Sequence, residues 1–131
     1  MADHPNVQLV RQGFDAFAKG DTDWMRKHLS DDVVWHAPGN NILSGDHRGK
    51  DQVLAFFARI FEVTGGTFTQ DIHDVVGNDD HVVALVTGRA QRPDGRTYEG
   101  RSVITFHIKE DQATESWAFN EDQAAQDAFL S

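Results

Sequence analysis

Apolar and polar positions change their repeat about halfway along the chain. In the first half, Val7, Val10, Phe14 and Phe17 recur at helical spacing, with Asn6 or Asp3 as possible N-caps and Gly20 where a helix would stop. Asp21 can cap a short second helix carrying Trp24, Met25 and Leu29 and ending near Ser30. Asp51 opens a third helix through Val53, Leu54, Phe56, Phe57, Ile60 and Phe61, ended by Gly65-Gly66 and apolar enough to lie under a sheet. From there the period is two. Thr67–Val76 and His81–Gln91 read as strands around Gly77-Asn78-Asp79-Asp80, with the Val-rich second one central. Pro93-Asp94-Gly95 makes the next hairpin turn. Thr97–Lys109 places Tyr98, Ser102, Ile104, Phe106 and Ile108 on one face and Glu99, Arg101, Val103, Thr105 and His107 on the other. Glu110-Asp111 turns the chain into a last strand, Gln112–Asn120, and a short amphipathic tail from Asp122 to Leu130 follows, anchored by Ala125 and Phe129.

The two regimes meet in Asp31–Gly49, where a short strand, Val33 to His36, runs into Pro38-Gly39 and a polar loop with Asn40, Asn41, Ser44, Asp46 and His47. Trp35 and His36 are neighbours on that strand. Alternation allows only one of them to face a cavity between the halves. Three helices laid on one face of a curved antiparallel sheet predict an α+β cone with an opening, in a single domain of 131 residues.

Composition narrows the function classes. Lys+Arg 12 against Asp+Glu 21 gives a formal net charge of -9, which argues against nucleic acid as a partner. There is no cysteine, so disulfides, thiolate nucleophiles and Cys-bound zinc are excluded. No apolar run approaches membrane-spanning length and the N-terminal residues lack a signal-peptide pattern, so the expectation is a cytoplasmic protein that does not enter a membrane. Asp71, His73 and Asp74 do not make a metal-ligand set at strand spacing, and no metal or cofactor is expected. Arg89, Arg92 and Arg101 could clamp an anion, but cross-strand pairs with Glu99 or Glu115 account for them more simply.

Several segments together resemble a known pattern. These are Phe17-Ala18-Lys19-Gly20-Asp21, Leu29-Ser30-Asp31-Asp32-Val33-Val34-Trp35, Gly45-Asp46-His47-Arg48-Gly49-Lys50-Asp51, and Glu115-Ser116-Trp117 with Asp122. The chain is similar to the nuclear-transport-factor-2-like superfamily and, within it, to the SnoaL-like, ketosteroid-isomerase-related proteins. The resemblance implies a cone-shaped (cystatin-like) α+β barrel with an apolar pocket, and a homodimer packed through the sheet. It does not imply one activity, because this fold hosts isomerases, cyclases, hydrolases, dehydratases and non-enzymatic adaptors. Ketosteroid isomerase works with an Asp base and an oxyanion hole of Tyr and protonated Asp. The resemblance puts Ala37, Gly13 and Ser102 at those three positions.

Other residues must supply any chemistry. His36, beside the lost base position, is one acid/base candidate, with a hydrogen-bonded sheet-surface histidine as the alternative. Asp122 is the other, by its resemblance to an acidic residue of SnoaL-type cyclases near the end of the sheet, with a helix N-cap as the alternative. The expected pocket residues are Phe14, Phe17, Trp35, Phe57, Phe61, Tyr98, Ser102 and Asn120, with Tyr98 the only phenol available as an oxyanion donor. Two functions stay open: a cofactor-independent acid/base enzyme of isomerase, cyclase or hydratase type acting on a small apolar molecule, and a non-catalytic ligand-binding or dimerisation module.

Overall fold

The structure is a computed structural model that describes residues 3–131. Its elements are α1 (Pro5–Lys19), α2 (Thr22–His28), β1 (Leu29–Ala37), β2 (Gly45–Arg48), α3 (Gly49–Val63), β3 (Thr69–Gly77), β4 (His81–Gln91), β5 (Thr97–Lys109), β6 (Gln112–Asn120) and α4 (Gln123–Phe129). The three expected helices are present. The limits of β4, β5 and β6 agree with the hydrophobic alternation.

Local physics explains the departures. The cap of α1 is His4, whose ring nitrogen accepts from the Asn6 N–H, with Pro5 at the first helical position where its missing N–H costs nothing. Gly20 ends α1 in the left-handed conformation at φ 69, and Asp21 caps α2 as expected. The α3 helix starts at Gly49, two residues before Asp51. The first strand extends back to Leu29, directly from α2, and Gly45–Arg48 in the polar loop is itself a strand, paired antiparallel with Val34–Ala37. At the C-terminus, Ala125 is exposed and the anchors are Phe129 and Leu130.

One sheet of six strands runs in the order β2-β1-β6-β5-β4-β3. The pairs β3·β4, β4·β5, β5·β6 and β1·β2 are antiparallel, and β1 lies parallel to β6, so the curved sheet is mixed and unclosed. Between Leu29 and Val34 the β1·β6 register shifts, because β1 advances from Leu29↔Ala113 to Val34↔Glu115. Helices α1 and α3 fill the concave side. Their contact is aromatic: Phe17 meets the Phe57 ring edge-on at 5.2 Å, and Trp35 meets Phe57 at 5.0 Å and Phe106 at 5.8 Å. Val33, Val53 and Val82 are sealed beneath them.

The packing makes a quantitative prediction. Phe57→Ala removes the ring on which Phe17 and Trp35 converge, and should lower the unfolding free energy in urea by about 3–5 kcal/mol. Phe119→Ala, 60% exposed on the outer face, should be close to neutral under conditions where the chain is a monomer. Equal losses at the two positions would show that α3 does not form the core.

Candidate functional site

The concave side of the sheet is not completely filled. Between α1, α3, α4 and the strands lies a cavity of about 230 Å³, where a single water needs only roughly 10–15 Å³ of such space. Phe14, Phe17, Trp35 and Phe57 form its wall, as the sequence suggested, and Trp24, Phe56, Phe68, Phe106 and Phe129 add to it. Phe61 stands behind this wall, packed on Phe17 at 4.9 Å and on Phe68. Gly13, Ala37 and Ser102, the positions at which the resemblance placed the isomerase residues, all reach the cavity.

Two glycines make room for it. Gly88 and Gly100 are cross-strand partners on the inner face of β4 and β5, so neither strand projects a side chain there. A Cβ at Gly100 would overlap the Tyr98 hydroxyl, which shows that the phenol lies back along β5 over Gly100. Tyr98 Oη and Ser102 Oγ have no hydrogen-bond partner among the described residues, although both belong to the cavity lining. Burial holds the Tyr98 phenol above its usual pKa, reinforced by the negative charges of Asp122 and Glu121, so it stays protonated and able to donate. Ser102 is the cross-strand partner of Asn120, whose Nδ2 donates to Gln123 Oε1 at 2.8 Å and Gln126 Oε1 at 2.9 Å. That leaves the Asn120 carbonyl oxygen free as an acceptor. Tyr98, Ser102, Asn120 and Gln126 thus contribute polar groups to a largely apolar cavity, whose lining also includes His28, Asn41, Thr64 and Gln70. Among the described residues lining it there is no Asp, Glu, Lys or Arg.

Alternation on β1 is now decided: Trp35 faces inward and the His36 ring faces out. His36 stacks on Trp117 at 5.1 Å and 17°, its Nδ1 lies 2.7 Å from Asp46 Oδ1, and its Nε2 lies 2.6 Å from Glu115 Oε2. Both ring nitrogens are held by carboxylates, so His36 borders the cavity through its strand while its imidazole belongs to the opposite surface. The hydrogen bond that the His36 ring donates to Glu115, opposed in part by burial and reinforced by Asp46, raises the His36 pKa above 6.5. The hydrogen bond that Asp46 accepts from His36 lowers the Asp46 pKa below its usual range. Asp122 caps α4, accepting from the Ala125 N–H at 3.0 Å, and is exposed outside the cavity lining. The two acid/base candidates therefore present no side chain to the cavity.

The remaining polar candidates are used structurally. Asn41 and Ser44 brace their own loop, and Asn41 also binds Asp127 on α4 at 2.8 Å. His47 stacks on Phe56 at 4.2 Å. Arg89 pairs with Asp71 and Glu99, Arg101 with Glu121, and Arg92 holds the carbonyls of Phe129 and Ser131. His73 sits at a bulge between Ile72 and Asp74, which disturbs the alternation used to judge that group. Sequence reasoning overlooked His28, Gly88 and Gly100. A pair of glycines at matched positions on two adjacent strands was the available signal for the latter two.

The comparisons agree with this architecture. The family model of the SnoaL-like domain matches residues 10–116. An uncharacterised protein of Mycobacterium tuberculosis is 33% identical over 98% of this chain and 98% of its own. Among solved structures, Bal32a from a soil-derived mobile gene cassette is 30% identical with a TM-score of 0.92, covering 96% of both chains. A Jannaschia protein described as a candidate SnoaL-like polyketide cyclase is 21% identical with a TM-score of 0.79, covering 100% of this chain and 98% of its own. The chain belongs to the SnoaL-like family, and its fold is shared with a Burkholderia protein described as nuclear-transport-factor-2-like, 21% identical with a TM-score of 0.86.

The His36 clamp sets a pH dependence. A raised histidine pKa contributes stability that is complete below the unfolded value of 6.5 and is lost as pH rises through the folded value. A lowered Asp46 contributes stability present above 3.8 and lost as pH falls through its folded value. Both are complete between pH 3.8 and 6.5. His36→Gln should therefore flatten the decline in stability above pH 6.5 in a series of urea titrations. The same decline in wild type and variant would show that the clamp has no such role.

Proposed function

We propose that this protein is a SnoaL-like small-molecule protein whose cavity takes an uncharged, largely aromatic or alicyclic ligand bearing a carbonyl or hydroxyl oxygen. The observation that carries this reading is the lining: aromatic walls, free polar groups at Tyr98, Ser102 and Asn120, and no charged side chain among the described residues facing in. An ionic ligand would lose its hydration and meet no Asp, Glu, Lys or Arg of opposite charge among the described lining residues, a penalty of several kcal/mol. A neutral oxygen would gain two donors that otherwise bond to nothing among the described residues. No helix among the described residues is long and apolar enough to cross a membrane.

A second reading is catalytic, and the same donors favour it. Tyr98 and Ser102 suit an oxygen that becomes negative as a neighbouring C–H or O–H loses its proton, the electrophilic half of isomerase or cyclase chemistry. The Jannaschia neighbour's description points the same way. In either reading we propose a homodimer through the outer sheet face. Leu85, Val103 and Phe119 are in register across β4, β5 and β6, and Leu85 and Phe119 are exposed at 38% and 60%.

Two measurements check this. In thermal-shift and calorimetric titrations, 2-naphthol should bind and 2-naphthoate, the same ring carrying a carboxylate, should not. Tyr98→Phe and Ser102→Ala should each weaken 2-naphthol by the roughly 0.5–1.5 kcal/mol of a single hydrogen bond. Equal binding of the two naphthalenes, or no binding of either, would contradict the cavity reading. Light scattering at micromolar concentration should give twice the chain mass and fall to the chain mass in Phe119→Asp; a wild-type monomer would end the dimer proposal.

A further inference from the structure

One titratable side chain on the cavity wall is left without a role by the reading above. His28 is the last residue of α2, lines the cavity, and has a side chain only 13% exposed. Its ring packs on Trp24 with centroids 4.1 Å apart and planes tilted by 31°. Its Nδ1 lies 3.1 Å from the backbone carbonyl of Asp111. A carbonyl can only accept, so Nδ1 carries the hydrogen, and in the neutral ring Nε2 keeps a bare lone pair. Nε2 has no hydrogen-bond partner among the described residues.

The β5–β6 turn is what holds the ring. Glu110 and Asp111 both adopt positive φ, 52 and 65, the tight two-residue connection that twists with its strands. This turn brings the Asp111 carboxylate within 3.6 Å of Nδ1 as well. Gln112, the next residue, donates to the Lys27 carbonyl at 3.1 Å and fixes the turn to the end of α2. The arrangement is that of an oriented base: one nitrogen tied, a carboxylate behind it, the other nitrogen open.

We propose that His28 is the acid/base and anchoring group of the cavity, its Nε2 taking the proton of a weakly acidic O–H, a phenol or an enol, on the bound ligand. The proposal rests on the cavity reading above. In the step, the ligand O–H bond breaks, its electron pair stays on oxygen, and the proton forms an N–H bond at Nε2. The product is a phenolate or enolate beside an imidazolium, whose positive charge faces the Asp111 carboxylate. Return of the proton, to oxygen or to the enolate carbon, restores the neutral ring. No other described side chain lining the cavity can do this: both nitrogens of His36 are engaged on the opposite face, Tyr98 stays protonated, and no carboxylate or amine is present.

The test uses a matched pair of probes, 4-nitrophenol and its methyl ether 4-nitroanisole, in a slightly acidic buffer where free 4-nitrophenol is mainly protonated. Both should bind the wild-type protein, and only bound 4-nitrophenol should develop the yellow phenolate absorbance. His28→Gln keeps a hydrogen-bond acceptor but cannot take a proton, so it should still bind 4-nitroanisole and lose the phenolate band. Asp111→Asn, with a residue that tolerates positive φ, should diminish the band and leave 4-nitroanisole binding unchanged. Nitroanisole bound with 4-nitrophenol left protonated in the wild type, or an equal phenolate band in His28→Gln, would overturn the His28 proposal alone. Failure of both probes to bind would overturn the cavity reading and this proposal with it. Should a variant not fold, long-range ¹H–¹⁵N NMR of the wild type still decides: the Nδ1–H tautomer of His28 is expected, and the Nε2–H tautomer would overturn the proposal.

Discussion

Three elements meet at one ring, and a fourth joins them through Trp35. Phe57 of α3 receives Phe17 of α1 at 5.2 Å and Trp35 of β1 at 5.0 Å, and Trp35 in turn reaches Phe106 of β5 at 5.8 Å. Large planar groups meeting edge to face stabilise the contact beyond the area they bury, and here they leave part of the concave surface unfilled. The same aromatic side chains therefore hold the helices in the curved sheet and form the wall of the cavity. Stability and the cavity wall come from one set of contacts, so a substitution among these aromatic side chains changes both.

Charge is sorted around that core by the two-residue period of the strands. On β5 and β6 the inward positions carry Tyr98, Ser102, Ile104, Ala118 and Asn120, and the outward ones carry Glu99, Arg101, His107 and Glu115. An interior without Asp, Glu, Lys or Arg avoids their desolvation cost, and the proposed preference for a neutral ligand follows from the same sorting. It also raises the value of any group that can bond to a ligand, since nothing in the cavity competes with it. Within the SnoaL-like family this leaves the chain with hydrogen-bond donors on one wall and a single tied imidazole, His28, on the wall formed by α2.

Legibility in the sequence followed the range of the physics involved. The strands β4, β5 and β6 were readable to the residue because alternation and the Pro93-Asp94-Gly95 turn act locally; of the expected pocket residues, Tyr98, Ser102 and Asn120 reach the cavity by that alternation and Phe14, Phe17 and Phe57 by the helical period of α1 and α3, while Phe61 stands outside the lining. Gly45–Arg48 looked like loop because its strand character comes from pairing with β1, not from its own residues. His36 was ambiguous in principle, as alternation fixes that Trp35 and His36 differ without saying which faces in. Only the ring of Phe57 on one side and Trp117 on the other decides it. The α1 cap was missed although Pro5 marked the helix start, because histidine is an uncommon cap. His28 was invisible for another reason: its partner, Asp111, lies 83 residues away across the fold.

The central claim is that the space over Gly88 and Gly100 is a ligand cavity and not a packing defect. A Cβ at Gly88 would meet only the Phe68 ring, at 3.7 Å, so a side chain can be built there without disturbing the backbone. Calorimetric titration of Gly88→Leu with 2-naphthol tests the claim most directly. The account predicts a folded protein at least as stable as wild type, because apolar atoms fill the void, with ligand binding lost. Undiminished binding to a folded Gly88→Leu variant would place the ligand elsewhere and contradict it.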